Sequence, residues 1–287
     1  MKERLTITLD KNLLAAVDST IDGVNIRNRS HAIEHLLNSS IHRSNRKKGV
    51  IFAGGSKAMV NGRAVNVPMV AIKGKPIIHY IINELKRNQI LDVIISIGKD
   101  SEDIRSYLGD GAEYGLRIKY IVEDVPKGTE GALGMVESMV EGEPFFALNG
   151  DNIFMLDMED MYRQHIANKA VSTVALTPAD SMSRFGVTKL EGNRITRFTQ
   201  RHEQGKEATL VNAGIYLFGT EVFGLIKKSK ERVMLEESLF PKLVAMGQLF
   251  GYVFSGPWYS IDSTSSIQKS IRELENVAGI VEGRKTQ

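Results

Sequence analysis

Two glycines close an apolar strand at Ala53-Gly54-Gly55, where a backbone without side chains lets N–H groups approach a phosphate. A carboxylate, Asp151, follows the apolar run Pro144-Phe145-Phe146-Ala147-Leu148 through Asn149-Gly150. It therefore falls at the carboxyl end of a strand, where parallel sheets bind their ligands. At the front of the chain Arg4, Thr6 and Thr8 alternate with Leu5, Ile7 and Leu9. Arginine can bind a guanine edge bidentately and threonine can donate, accept or touch a thymine methyl, so that polar face suits the major groove of DNA. Asn28-Arg29-Ser30, at the start of a helical pattern, offers free backbone N–H groups, a hydroxyl and a cation to a phosphate. No cysteine occurs in the 287 residues. Disulfides, thiolate metal sites and cysteine nucleophiles are thereby excluded, which points to a reducing, cytoplasmic setting.

The elements that must position these groups read off the hydrophobic pattern. Strict alternation over residues 3–9 predicts a half-buried strand. Asp10 is an N-cap for a helix through Leu13, Leu14, Val17 and Ile21, broken by Asp22-Gly23. Asn28 caps a second helix carrying Ala32, Ile33, Leu36 and Leu37. So short a unit buries little surface alone, so it is expected to be an intertwined homodimer. Residues 1–48 hold nine Lys/Arg against five Asp/Glu, while the remainder holds 28 against 29. The basic excess thus sits wholly at the front, as for a polyanion partner. HRSNRKK, ending at Lys48, reads as a basic tether with residues 46–48 as the linker between domains 1–45 and 49–287. From Val50 onward, strands (50–53, 91–97, 117–123, 144–148) alternate with helices (76–88, a short one, 129–140). Apolar strands in that order predict α/β architecture with a mixed, mostly parallel sheet covered by helices on both faces. Beyond residue 170 come strands at 171–178, 185–190, 195–199 and 209–218, then helices near 220–227, 235–246 and 265–280. No apolar run reaches the ~20 residues of a membrane span.

KERLTITLD followed by NRSHAIEHLL resembles the ribbon-helix-helix (CopG/Arc-type) repressors over almost all of residues 1–45. The resemblance implies a dimeric domain that binds a double-stranded DNA operator, with Arg4, Thr6 and Thr8 reading bases and Asn28, Arg29 and Ser30 clamping the backbone. Such sites need cooperating dimers, so a higher homo-oligomer is expected.

The body carries IFAGG, PMVAIKGKPIIHYII, GTEGAL, LNGDNIF, VNAGIYLF and LFPKLVAMGQLFGYVFSGPW in that order. Together they resemble the sugar-phosphate nucleotidyltransferases over about residues 49–280, a Rossmann-like fold. These enzymes join a nucleoside triphosphate to a sugar 1-phosphate and release pyrophosphate. The resemblance implies magnesium held by two carboxylates, of which Asp151 matches the first. Gly131, Asn212 and Gly214 match positions lining the sugar pocket. Three positions depart from the pattern. The loop GGxGTR appears as Gly54-Gly55-Ser56-Lys57-Ala58-Met59, and a phosphate-binding lysine is replaced by Val67 before Pro68. In Trp258-Tyr259-Ser260-Ile261-Asp262, Ser260 stands at the second metal carboxylate, and Asp262 could take its place only if the backbone moved. Lys57, Arg63, Lys73 or Lys75 could restore charge, and Gln200-Arg201-His202 replaces an acidic residue and a lysine on the sugar side. Each lost electrostatic group costs about a hundred- to a thousandfold in rate.

These observations lean against turnover. They read as a transcriptional regulator whose transferase-like body, with a degenerate site, senses a nucleotide, sugar phosphate or nucleotide sugar, or drives oligomerisation. The alternative is an active magnesium-dependent sugar-1-phosphate nucleotidyltransferase that also binds DNA to regulate its own expression. A purely architectural protein is the third reading.

Overall fold

A computed structural model describes residues 6–23, 26–44, 47–55, 57–60, 62–140, 142–179, 187–199, 209–227 and 231–261. Arg4, Ser56, Gln200, Arg201, His202, Asp262 and the helix expected at 265–280 lie outside the described residues. The chain divides into two compact units, Met1–Arg46 and Lys47–Gln287.

In the first unit α1 (Lys11–Asp18) is capped as expected, with the Asp10 carboxylate accepting from the Asn12 and Leu13 N–H groups. It ends three residues short of Ile21. The Ser19 and Thr20 hydroxyls donate to the Ala16 and Val17 carbonyls, closing the last turn before Asp22 and Gly23 are reached. The Asp22 carboxylate then accepts from the Ile26 N–H, and Gly23 takes a φ of 74°. α2 (Arg29–Ser44) begins under Asn28, whose side-chain oxygen accepts from the His31 N–H at 2.9 Å. Val17 and Ala32 are buried, while Ile7, Leu13, Leu36 and Leu37 are exposed. Residues 6–9, the described part of the expected strand, pair with no strand among the described residues.

In the second unit β1 (Lys48–Ala53) leads into a hairpin of β2 (Lys57–Val60) and β3 (Arg63–Asn66), then the short β4 (Ala71–Ile72) and β5 (Lys75–Pro76). After these come α3 (Ile77–Arg87), β6 (Asp92–Gly98), α4 (Glu102–Leu108), β7 (Arg117–Glu123), α5 (Gly128–Met135) and β8 (Phe145–Asn149). The chain continues through β9 (Asn152–Phe154), α6 (Met158–Asn168), β10 (Ser172–Ala179), β11 (Val187–Glu191), β12 (Arg194–Thr199) and β13 (Thr209–Phe218). A 3-10 turn, Thr220–Gly224, precedes α7 (Leu239–Ala245), β14 (Leu249–Val253) and β15 (Trp258–Ser260).

Nine strands form one sheet in the order β10-β14-β12-β11-β13-β8-β1-β6-β7, with β10 also paired to β13. The sheet is mixed, but not mostly parallel as the sequence suggested. β8, β1, β6 and β7 run parallel, as do β10 and β14, and the other five pairings are antiparallel. Successive side chains point to opposite faces, so the apolar strands feed two cores. Ile51 and Ala53 of β1, with Ile215 and Leu217 of β13, face a core built with α3 and α4. Val50, Tyr216 and Phe218 face a core built with α5 and α7.

Lys47 and Lys48, expected in a basic linker, are body residues. Lys47 is buried, ion-paired with Glu159 and set over the Tyr162 ring at 4.6 Å, and the Lys48 Nζ donates to the Met139 carbonyl at 2.7 Å. Among the described residues no helix is long and apolar enough to cross a membrane.

Candidate active site

β1 and β8 are parallel neighbours with Phe52 opposite Asn149, so their carboxyl ends meet at one edge of the sheet. A cavity of about 290 Å³ opens there, with Ala53, Gly54 and Gly55 on one wall and Asn149, Gly150 and Asp151 on the next. Gly150 has no alternative: its N–H donates to the Phe52 carbonyl at 2.9 Å, and a Cβ would stand 2.8 Å from that oxygen and 3.0 Å from Pro68 Cγ. Gly54 leaves room for the Glu123 carboxylate, since a Cβ there would lie 2.5 Å from Glu123 Oε1 and 3.2 Å from the Ile97 carbonyl carbon. Glu123, at the end of β7, is itself buried and lines the cavity. Its two oxygens accept from the Ser96 hydroxyl at 2.7 Å and the Lys127 N–H at 3.0 Å.

Of the other expected residues, Asn212 and Gly214 stand behind this wall. The Asn212 amide donates to Tyr216 Oη at 3.0 Å and to Glu236 Oε1 at 3.1 Å, while its oxygen accepts from the Gly214 N–H at 2.9 Å. Gly214, at φ 70°, lets Asn149 and Asn152 close in, since a Cβ would lie 2.7 Å and 2.4 Å from their amide nitrogens. Burial pushes the Glu236 carboxyl above its usual range and the Tyr216 hydroxyl well above its own. Gly131 does not line the cavity; it makes room for the Lys127 side chain, whose Cβ would be 2.4 Å from a Cβ at that position.

Lys57 is placed away from the cavity lining. It starts β2 and pairs with Asp100 at 3.3 Å, both side chains exposed, and it is not among the residues lining the cavity. Val67 forms apolar wall instead of phosphate-binding charge. Ser260 lies opposite Asn152 in the β9–β15 ladder, and the Ile261 N–H donates to the Asp151 carbonyl at 2.9 Å. Asp151, expected to be the first metal carboxylate, and Ser260, which stands at the position of the second, are therefore close together. In the first unit Arg29 is exposed and pairs with Asp18. Its guanidinium forks onto the Asp18 carboxylate at 2.7 and 2.8 Å and holds that carboxyl below its usual range. Thr6, Thr8, Asn28 and Ser30 are exposed.

Several lining residues escaped the sequence reading. Glu123 ends an edge strand without a motif, and Arg232 sits in the mixed-charge stretch from Lys227 to Arg232, which reads as solvated surface. Thr129 was visible only as part of GTEGAL; its hydroxyl accepts from the Leu235 N–H at 3.0 Å.

The sequence profile of a family described as nucleotidyl transferase matches residues 48–276, nearly the whole second unit. The chain belongs to the nucleotidyl transferase family. A D-glycero-alpha-D-manno-heptose 1-phosphate guanylyltransferase of Aneurinibacillus thermoaerophilus is 29% identical over 211 residues, covering 73% of this chain and 89% of the relative. A mannose-1-phosphate guanyltransferase of Saccharomyces cerevisiae is 28% identical over 222 residues, covering 75% of this chain; the match spans 61% of that longer enzyme. A Bacillus anthracis crystal structure assigned as glucose-1-phosphate thymidylyltransferase, solved with sucrose, superposes with a TM-score of 0.69 at 27% identity, covering 79% of this chain and 94% of that one. The Bacillus anthracis structure shares the nucleotidyl transferase fold, and none of these three proteins is described as binding DNA.

The family implies magnesium, and the residues fit a particular way of holding it. Among the described residues no group of three or more His, Cys, Asp or Glu side chains could form an all-protein cage. Magnesium is ordinarily held by one or two carboxylates plus substrate phosphates. Asp151 at the cavity edge supplies one, and the buried Asn149 Oδ1 beside it accepts no hydrogen bond among the described residues. Acceptor oxygens gathered at one edge suit a cation delivered with phosphates.

Proposed function

We propose that the second unit transfers a nucleotidyl group from a nucleoside triphosphate to a sugar 1-phosphate. An oxygen of the sugar phosphate attacks the α-phosphorus, the bond to the β-phosphate breaks and pyrophosphate leaves. The observation that carries this reading is the meeting of Gly54–Gly55 and Asp151 across one cavity in a chain of this family. Bare N–H groups at the glycine turn suit phosphate oxygens, and Asp151 would hold magnesium, with Asp262 the candidate second carboxylate. When bound, the ion supplies charge neutralisation for the phosphates. Asn212 and Gly214 shape the Asn149 wall on which the sugar would rest, with Gln200 and Arg201 as further candidate contacts. Val67, Met59 and Ser260 in place of charged groups make turnover slow. The names of the guanylyl and thymidylyl relatives favour catalysis over a purely sensing body. A thermal-shift panel of ATP, CTP, GTP, UTP and dTTP with magnesium tests the reading. A ligand at a hundred times its dissociation constant stabilises by about 2.7 kcal/mol, and no shift with any triphosphate contradicts it.

A second reading concerns the first unit, residues 1–45. These residues fall within the compact unit Met1–Arg46, whose Ile7, Leu13, Leu36 and Leu37 are exposed. An exposed alternating segment and uncovered helix faces suit a ribbon-helix-helix homodimer on an operator, with Arg4, Thr6 and Thr8 toward the bases. It would make the protein a nucleotidyl transferase that regulates transcription. Arg4→Glu in the full chain abolishes sequence-selective duplex binding on this reading; unaltered selectivity contradicts it.

A further inference from the structure

The charges lining the cavity are unequal to a triphosphate. Among the described lining residues stand two carboxylates, Glu123 and Asp151, and one cation, Arg232. A polyanion entering such a site meets net negative charge unless a metal and that arginine oppose it. Lys57, the cation nearest in sequence to the glycine turn, is engaged with Asp100 instead.

Arg232 is held where it can act. The Val233 N–H donates to the Lys127 carbonyl at 2.9 Å, and the Val233 carbonyl accepts from the Glu130 N–H at 3.1 Å. The Leu235 N–H donates to the Thr129 hydroxyl, so Val233 and Leu235 tie the segment to the start of α5. Gly128 permits the approach, since a Cβ there would stand 2.3 Å from the Val233 carbonyl oxygen. The backbone of Arg232 is therefore fixed on the rim, while its side chain is exposed and makes no hydrogen bond or ion pair with another described residue. A guanidinium fork so placed matches phosphate oxygens bidentately.

We propose that Arg232 binds the phosphate chain of the nucleoside triphosphate, supplying from the segment before α7 the positive charge that the glycine turn and its hairpin do not bring to the cavity. This rests on the nucleotidyltransferase reading. The test is calorimetric titration of the full-length protein, at fixed magnesium and salt, with the five triphosphates and with their phosphate-free nucleosides. Arg232→Gln weakens triphosphate binding about ten- to hundredfold, leaves nucleoside binding unchanged and makes triphosphate affinity less salt-dependent. Arg232→Lys recovers part of the loss, and the thermal midpoint without ligand stays that of the wild type because the side chain is exposed. Equal triphosphate affinity in wild type and Arg232→Gln, or an equal loss for nucleosides, overturns the inference and leaves the proposed function standing. Failure of the wild type to bind any triphosphate overturns both.

Discussion

Asp151 owes its place to the residue before it, because only a glycine at 150 lets the end of β8 lie against the Phe52 carbonyl and Pro68. LNGDN was legible as a strand ending in a carboxylate; the closeness of Pro68 was not, since it depends on packing between segments far apart in sequence. His165 shows the same limit away from the site. It is 2% exposed in α6, within 2.9 Å of the Thr173 hydroxyl, and burial lowers its pKa from 6.5 to about 4. The unfolded chain protonates this histidine as pH falls below 6.5 while the folded chain does not. Its contribution is therefore complete above that value and is lost as pH falls toward 4. Between pH 7 and 5 the loss is about 2 kcal/mol. Denaturant unfolding at both pH values measures it; His165→Gln flattens the dependence, and an undiminished dependence in the variant contradicts the assignment.

At the scale of elements, α5 and the segment 232–239 act as one brace. The Glu130 carboxylate, fully buried, accepts from the Lys227 and Leu239 N–H groups and from the Ser238 hydroxyl, fastening the start of α7. Gly128→Ala puts a side chain at φ 75° into the Val233 carbonyl, and costs about 3 kcal/mol of stability. Triphosphate affinity falls with it, because Arg232 moves. Thermal unfolding and titration measure the two effects, and a variant as stable and as tight-binding as the wild type removes the brace from the account. The long elements here were legible: α3 repeats apolar residues at helical spacing, and its Ile77, Ile78, Ile81, Ile82 and Leu85 are all buried. The hairpin β2–β3 was not, since four-residue strands with Lys57 and Arg63 at their starts look like a charged loop. Nor was the short β15, whose pairing with β9 brings Ser260 beside Asp151.

At the scale of the whole molecule, family and α/β class were legible because motif order survives where motif chemistry does not. IFAGG, GTEGAL, LNGDN and VNAGIYLF each mark a strand end or helix start in the second unit. Orientation of the strands beyond β8 was harder to read, because apolar runs reveal burial but not direction, and the antiparallel pairing of β13 with β8 is a property of the assembled sheet. The sequence weighed the departures at Met59, Val67 and Ser260 toward a sensor. The fold restores weight to catalysis by keeping Asp151 at a cavity with Gly54, Gly55 and Arg232. The most direct measurement is pyrophosphate release by the full-length protein from each triphosphate paired with sugar 1-phosphates, beside Asp151→Asn. Slow, magnesium-dependent release is expected with at least one pair, lowered a hundredfold or more in Asp151→Asn. No release with any pair, or release unaffected by Asp151→Asn, would contradict the proposed function.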